Sequence, residues 1–295
     1  MREITLEELL EAGCHFGHQV TRQNPKARDF VFEARDGIHI IDLGKTKEGL
    51  DETLAYLKSV AEKEGTTMLI VGTKRQAAPI IEEEMKALVD NTSIYYVTKR
   101  WIGGTLTNPT AIQKNFDRLR NLEKKLKSEE EQANYTKKEV GEWEKERAKL
   151  HYFYSGIVDM KNLPDVLFVV DTHLEGLAVR EANRMGIPVA GIVDTNADPD
   201  PIQYIIPAND DAIGSLKLLI GAVVDAWNEG KTGTEVKRKP AKAEKGTEEK
   251  EAVKEEVVEE KPAKEEKKAS TEEEKPVKKE AVAKKAPKKV KKEEK

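Results

Sequence analysis

The feature that most constrains the fold of this chain is the alternation of short apolar runs with longer stretches of helical periodicity. The apolar runs, each short enough to be one buried strand, lie at 68–72, 94–97, 166–170, 188–193 and 204–206. The helical patterns that separate or follow them lie at 46–63, 75–89, 174–185 and 210–228. Strands that alternate with helices of this length predict an α/β fold, with a parallel sheet covered by helices on both faces. Ligands or partners of such a sheet are expected at the carboxyl ends of its strands.

Local signals predict where helices begin and where a hairpin turns. The expected helix N-caps are Thr5 (in a capping box with Glu8, before a short helix over 6–12), Thr46 and Asn209. Asp36-Gly37 lies between two short apolar runs, at 30–32 and 38–41, and this dipeptide is typical of a tight β-hairpin turn.

The segment 109–154 departs from the α/β alternation and predicts an inserted helical hairpin. Apolar residues repeat there at spacings of three and four, at Ile112, Phe116, Leu119, Leu122 and Leu126, and on the return at Val140, Trp143 and Leu150. Thr136 and Glu139 form a second capping box, where the returning helix begins. Such seams are typical of an antiparallel coiled coil. The α/β globular domain is then formed by 1–108 and 155–230.

The composition changes sharply after residue 230. Residues 231–295 carry 22 Lys or Arg against 17 Asp or Glu, and they contain no aromatic residue, Leu or Ile. A segment of this kind cannot bury a core, so it predicts a disordered Lys/Glu-rich tail. The tail has a formal charge of +5 and 1–230 one of −9. Simple nucleic-acid binding prefers a basic domain, so any such binding here must use local patches, with 284–292 as a secondary polyanion contact.

Cysteine usage and hydropathy narrow the class of protein. Cys14 is the single cysteine, which excludes a disulfide framework and suits a reducing compartment. No apolar run approaches the ~20 residues that cross a bilayer, and the acidic first residues are unlike a signal peptide. The sequence predicts a soluble cytoplasmic protein with no membrane partner.

Three short patterns resemble ligand motifs and fail on spacing. Gly44-Lys45-Thr46 lacks the upstream glycine of a P-loop, because His39 stands in its place. No Gly-x-Gly-x-x-Gly follows a strand, so the dinucleotide fingerprint is missing. The acidic run that starts at Asp194 has Pro199 where a calcium loop needs glycine. We therefore predict no small-molecule substrate.

The loop over 98–108, between an apolar run and a helical pattern, has the chemistry of an anion-binding site. Lys99 and Arg100 are cationic, and an arginine can pair with phosphate through two parallel hydrogen bonds. The loop also offers glycines for close backbone approach and short polar groups near a helix N-terminus, namely Gly103, Gly104, Thr105, Thr107 and Asn108. For Trp101 we favour a buried role that locks the loop over stacking on a base.

Further cations extend this patch and form two others. The segment 98–127 carries about +6 within an acidic domain, a local reversal of sign suited to a phosphate backbone. The candidate RNA-binding cations of the hairpin are Lys114, Arg118 and Lys125. Those of the second and third patches are Arg22, Lys26 and Arg28, and Lys74 with Arg75.

Two histidines raise the question of a metal site. His15 and His18 are spaced so that both could reach one Zn²⁺, with Asp194 or Asp198 as carboxylate ligands. An isolated histidine pair lacks a complete ligand set, so the favoured interpretation is a turn whose rings pack and hydrogen-bond, without a cofactor.

Residues at strand ends keep an enzymatic interpretation open. Asp171 and His173 follow one predicted strand and Asp194 another, and such groups can serve in acid–base chemistry. More often an Asp in this position caps a helix. No nucleophile elbow accompanies them, so we do not expect an enzyme.

Several long motifs resemble the bacterial small-subunit ribosomal protein two family. They are Glu-Ala-Gly-Cys-His-Phe-Gly-His-Gln (11–19), Asn-Pro-Lys (24–26), Gly-Ile-His-Ile-Ile-Asp-Leu (37–43), Val-Gly-Thr-Lys-Arg-Gln-Ala (71–77), Arg-Trp-Ile-Gly-Gly-Thr-Leu-Thr-Asn (100–108), Met-Lys-Asn-Leu-Pro-Asp-Val-Leu-Phe-Val-Val-Asp (160–171), Gly-Ile-Pro-Val (186–189), Val-Asp-Thr-Asn (193–196) and Ile-Pro-Ala-Asn-Asp-Asp-Ala-Ile (206–213). The resemblance covers about 5–228, in order.

The resemblance implies a flavodoxin-like domain with a coiled-coil hairpin and a structural role in translation. It implies contact with small-subunit ribosomal RNA between the head and body of the subunit. It also implies a neighbour, the messenger-binding ribosomal small-subunit protein one, which the family helps to recruit. The chain departs from the family at 171–175, which lacks the usual basic residues, and in its longer tail.

Two interpretations from other classes stay open beside this one. A flavodoxin-like enzyme or nucleotide binder would act at the strand ends, and a free coiled-coil adaptor would bind a protein partner. Sedimentation of a cell lysate separates them, because a ribosomal protein travels with the small subunit.

Overall fold

In the computed structural model, which describes residues 3–88, 93–128, 132 and 134–233, five strands form one parallel sheet. They are β4 (Met68–Val71), β5 (Ile94–Val97), β6 (Val166–Val169), β7 (Val189–Val193) and β8 (Tyr204–Pro207). Their spatial order is β5-β4-β6-β7-β8, the order of the flavodoxin-like doubly wound fold. The α/β architecture predicted from the apolar runs is confirmed.

Pairing within this sheet is in register over the whole of its central strands. Met68 lies beside Ile94 on one side and Val166 on the other, and Val71 lies beside Val97 and Val169. Side chains of a strand alternate between faces, and β4 and β6 are buried at every position. This explains why the runs read as continuously apolar, since both faces of the sheet are covered.

Helices cover the two faces of the sheet. The helices are α1 (Leu6–Glu11), α2 (Leu43–Ala61), α3 (Ala77–Ala87), α4 (Pro109–Lys127), α5 (Lys137–Tyr154), α6 (Gly176–Met185) and α7 (Ile213–Thr232). One core packs α1, α2, α3 and α7 against Ile70, Phe168 and Ile192, with Trp227 fully buried within it. The other core packs α6 and the base of α4 and α5 against Leu69, Leu167 and Val189.

A smaller antiparallel sheet precedes the parallel one. It contains β1 (Phe16–Gln19), β2 (Val31–Arg35) and β3 (Ile38–Ile41) in the order β1-β3-β2, with 3-10 turns at Val20–Arg22 and Pro25–Phe30. Asp36 and Gly37 both have positive φ, 51° and 78°. Positive φ at both central residues is the property of a type I′ hairpin turn, which confirms the turn predicted from Asp-Gly.

Two predicted helix caps are wrong. Asp42, not Thr46, caps α2, because its Oδ1 accepts a hydrogen bond from Gly44 N at 2.9 Å. Thr46 is instead buried one turn into the helix and donates to Pro207 O. Asn209 lies before the N-cap of α7, Ala212, and its Oδ1 accepts from Ala212 N at 3.0 Å, so it orders the turn that leads into the helix.

The inserted segment forms two helices that run antiparallel. Asn115 Nδ2 donates to Tyr154 Oη at 3.0 Å near one end, and Lys125 lies 4.9 Å from the Trp143 ring centroid near the other. Both Thr136–Glu139 capping-box hydrogen bonds are present at the start of α5. The predicted interruption at 129–131 lies outside the described residues, and coiled-coil packing over the full hairpin stays a prediction.

The last helix is longer than its pattern predicted. α7 continues to Thr232, and Lys231 Nζ donates to Lys63 O and Thr66 Oγ1. Lys231, which the composition placed at the start of the tail, is therefore helical. The predicted tail from 234 to 295 lies outside the described residues. No helix in the described part of the chain is both long and apolar enough to span a membrane.

Candidate functional site

The loop between β5 and α4 is closed by one carboxylate, that of Glu181 on α6. Glu181 Oε1 accepts from Trp101 Nε1 at 3.2 Å and from Gly104 N at 2.8 Å. Its Oε2 accepts from Leu106 N at 3.1 Å and from the amide and hydroxyl of Thr107. The loop thus binds an anion through its backbone amides, as its composition suggested, but the anion is part of the chain.

The Glu181 carboxylate is buried yet ionised. Burial by itself raises the pKa of Glu181, but the hydrogen bonds from Gly104, Trp101, Leu106 and Thr107 outweigh it, and the pKa is lowered overall. Gly104 has a φ of +93°, which a residue with a side chain rarely adopts. Trp101 is 6% exposed, so it locks the loop as predicted.

The other polar residues of the loop also bond within it. Thr105 is buried and donates to Ile102 O at 2.6 Å. Asn108 N donates to Gly104 O at 2.8 Å, and Asn108 Oδ1 accepts from Thr110. Gly103 is exposed beside Leu177. The backbone of the loop is a rigid support, and its cations are left as the groups that can face a partner.

The two cations of the loop differ in what they contact. Lys99 Nζ lies 2.9 Å from Glu82 Oε1 on α3, and both side chains are about one third exposed. Arg100 is exposed and has no ion pair among the described residues. An exposed arginine free of internal partners keeps its full capacity for phosphate.

The cations of the hairpin differ in the same way. Arg118 makes a two-bond ion pair with Glu146 on α5, at 3.0 and 2.8 Å. Lys125 lies over the Trp143 ring. Lys114 is exposed and unpaired within the described part of the chain. The local excess of positive charge predicted for 98–127 is therefore partly neutralised by acids that are distant in sequence.

In the second patch, Lys26 lies 2.8 Å from Asp198 and 2.5 Å from Asp200. Arg22 lies in the first 3-10 turn, and Arg28 lies in the second, which also contains Lys26. Both arginines are exposed and have no ion pair among the residues that the structure covers. In the third patch, Arg75 is exposed and likewise unpaired there.

Lys74, the neighbour of Arg75, lies inside a cluster of carboxylates at the carboxyl ends of the strands. Its Nζ is 2.9 Å from Asp171, 2.8 Å from Asp210 and 2.9 Å from Asp211. Burial lowers the pKa of Lys74, but these carboxylates outweigh it and raise the pKa well above its usual value. Lys74 follows β4 and Asp171 follows β6, so the pair marks the point where strand order reverses.

His18 joins the same cluster from β1. Its Nδ1 lies 3.1 Å from Asp194 Oδ1 and its Nε2 lies 3.4 Å from Asp211 Oδ2. The hydrogen bond to Asp194 raises the pKa of His18 despite its burial. The pKa of Asp210 is raised to about 8, first by burial and then by the charges of Asp171 and Asp194.

The structure therefore brings two of the predicted metal ligands together and places the other two elsewhere. His18 and Asp194 come together, with Asp210 as a third group. His15 lies outside the group, against Phe16, and Asp198 pairs with Lys26. Asp210 was missed, although its place four residues after the last predicted strand was a signal for it. Of the acid–base candidates, Asp171 and Asp194 lie in the cluster and His173 is exposed.

A model of the protein family described as Ribosomal protein S2 matches residues 9–230, about three quarters of the chain. The match begins in α1 and ends within α7, so it takes in both sheets, the hairpin and the cluster at the strand ends.

Proposed function

The chain belongs to the ribosomal protein S2 family, structural proteins of the small ribosomal subunit, and we propose that it binds small-subunit ribosomal RNA through its exposed, unpaired cations. Family membership carries this proposal because it supplies the class of partner. The structure adds which side chains are available to that partner.

The proposed RNA contacts are the exposed cations that have no ion pair among the described residues. Among the cations predicted from the sequence as contacts, those that meet this condition are Arg22, Arg28, Arg75, Arg100 and Lys114. Each can neutralise a phosphate and release counterions without first breaking an internal bond. Lys26, Lys74, Lys99 and Arg118 already have carboxylate partners, so the proposal assigns them a supporting role.

Backbone geometry supports contact by side chains over contact by the glycine loop. The amides of Gly104, Leu106 and Thr107 already donate to Glu181. A phosphate would have to displace a buried carboxylate to bind them. Arg100, next to Trp101 in this rigid loop, would instead be presented at a fixed position to folded RNA, whose shape is the main basis of recognition.

The family resemblance extends the proposal to the place and partners of the protein. It would lie between the head and body of the subunit, in the cytoplasm, and help to dock the messenger-binding protein one. We propose no catalytic role.

Sucrose-gradient sedimentation of a lysate at moderate and high salt tests the proposal. The chain is expected to travel with small subunits and to crosslink to RNA through the segments that hold Arg22, Arg28 and Arg100. A double variant, Arg22→Ala with Arg28→Ala, should shift the chain towards the top of the gradient at lower salt than wild type. Lys26→Ala is the matched control, because Lys26 is already paired with carboxylates. This variant should move the chain less far towards the top of the gradient. A chain that stays at the top at both salts, or crosslinks to protein alone, contradicts the proposal.

A further inference from the structure

The outward side of α6 carries apolar and cationic side chains and no exposed carboxylate. Leu177 is 43% exposed, and Arg180 and Arg184 are exposed as well. Spacings of three and four residues put these three side chains on one side of the helix, where they form what we call the α6 stripe. The acids of the helix and of its N-cap, Glu181 and Glu175, are only 6% and 4% exposed. The positive charge of the α6 stripe therefore has no acid of the same helix beside it at the surface.

The acids of α6 have partners inside the chain, whereas its two arginines do not. Glu181 closes the loop between β5 and α4, and Glu175 accepts a hydrogen bond from Thr73 Oγ1. Arg180 and Arg184 make no ion pair within the part of the chain that the structure describes. A guanidinium without an internal partner can donate two parallel hydrogen bonds to a carboxylate or a phosphate. The α6 stripe can therefore bind an anionic partner without first losing an internal bond.

Two exposed leucines decide the class of that partner. Leu174, in the turn that leads into α6, is 56% exposed. Leu177 lies beside the loop between β5 and α4, because a Cβ added to Gly103 would be 3.5 Å from Leu177 Cδ2. Exposed leucines gain free energy by burial against apolar groups, which a phosphate backbone does not offer. Protein interfaces combine apolar contacts with arginine, so a protein accounts for both kinds of side chain, whereas RNA accounts for the arginines alone.

The α6 stripe is held on a rigid base. Ala178, Val179 and Ala182, on the inner side of the helix, are at most 2% exposed and belong to the core that covers one face of the parallel sheet. The helix ends at Gly186, whose φ of 72° is typical of a C-terminal glycine cap. A surface that is ordered before binding loses little conformational entropy on association. This base therefore favours docking of a partner in one defined position.

We propose that the α6 stripe and Leu174 form a docking surface for a protein segment in which carboxylates flank apolar side chains. The apolar side chains of such a segment bury Leu174 and Leu177, and its carboxylates pair with Arg180 and Arg184. A basic segment is excluded by repulsion from the two arginines, which no exposed acid of α6 relieves. This surface goes beyond RNA binding, and none of the cations proposed to contact RNA belongs to it.

Photo-crosslinking in living cells tests the proposal. The full chain carries the photoreactive amino acid benzoylphenylalanine in place of His173, which is exposed next to Leu174 and outside the α6 stripe. After irradiation and nuclease digestion, mass spectrometry identifies the crosslinked segment. We expect a protein segment in which Asp or Glu alternates with apolar residues. A crosslink to RNA alone, a crosslink to a segment without acids, or no crosslink overturns the proposal. Sedimentation of the same chain tests RNA binding separately, since the chain can travel with small subunits whichever result position 173 gives.

Charge reversal in the crosslinking chain shows whether the arginines carry the contact. Arg180→Glu with Arg184→Glu should lower the crosslink yield about tenfold or more, because like charges then face each other. Lys145→Glu with Lys149→Glu is the matched control, since these exposed lysines have the same spacing on α5. The control should keep the yield within about twofold of the unsubstituted chain. Circular dichroism checks that each variant is folded. An unchanged yield after reversal of the arginines, or an equal loss in both double variants, overturns the proposal.

Discussion

Trp101 and Glu181 are joined by a hydrogen bond of 3.2 Å from the indole Nε1 to the carboxylate, across 80 residues of sequence. The same carboxylate also accepts from three backbone amides of the loop. One side chain of α6 therefore fixes the conformation of the loop that presents Arg100.

Glu181→Gln should destabilise the protein by about 2–4 kcal/mol, because hydrogen bonds to a charged acceptor are lost and an amide group faces several N–H donors. Urea unfolding followed by circular dichroism measures the change. Glu144→Gln, on the exposed side of α5, is the control and should stay within about 0.5 kcal/mol of wild type. If both variants match wild type, the carboxylate does not hold the loop.

Arg100→Ala should weaken association with small subunits that lack this protein more than Lys99→Ala does. Arg100 has no ion pair in the described part of the chain, whereas Lys99 is paired with Glu82. The slope of log affinity against log salt should fall by about one for Arg100→Ala. Equal effects of the two substitutions would show that internal pairing does not decide which cations contact RNA.

Gly49→Ala should destabilise the protein by about 1–3 kcal/mol, because the new Cβ would lie 2.2 Å from Ile205 O. Gly141→Ala, in α5, meets nothing within 4 Å and should stabilise the protein by about 0.5–1 kcal/mol, since alanine favours helix over glycine. Thermal unfolding compares the two. A shift of the same sign for both would mean that close packing of α2 on β8 does not set the choice of glycine at position 49.

In a buffer that contains a metal chelator, the free energy of unfolding should fall by about 1–3 kcal/mol from pH 6 to pH 9. The pKa of Asp210 is raised to about 8 and that of His18 is raised above its usual value. A raised native pKa gives stability that is complete below the unfolded pKa and is lost as pH rises through the native one, so both groups act in the same direction.

Asp210→Asn removes one of these titrations and should flatten the pH dependence, with the largest gain in stability near pH 9. Lys74 retains Asp171 and Asp211 as partners in this variant, so its charge stays compensated. Urea midpoints at several pH values measure the slope. An unchanged slope would remove Asp210 as its origin.

The strands and most helices could be predicted because their signals are local. Apolar runs gave the strands of the parallel sheet, and Asp36-Gly37 gave the hairpin turn. The N-cap of α2 was misplaced because Asp42 stands before Leu43-Gly44, which looks a poor helix start. The packing of the buried face of α2 and the cap from Asp42 outweigh the low helix preference of this start.

The charge partners could not be predicted, because they are distant in sequence and of ordinary type. In the sequence, Glu181 and Glu82 look like ordinary surface acids of two helices. The fold places Glu181 against Trp101 and Glu82 against Lys99. Lys74 was grouped with Arg75 as a cationic patch, but adjacent residues at a strand end point in different directions, and only Arg75 is exposed.

The two ends of the inserted hairpin meet at one place, where the Phe116 and Tyr154 rings pack edge to face with centroids 5.5 Å apart. Insertions or deletions of whole helical turns farther out would leave this junction, and the sheet beneath it, unchanged. Evolution or engineering can therefore change the length of the hairpin without changing the fold of the domain that carries it.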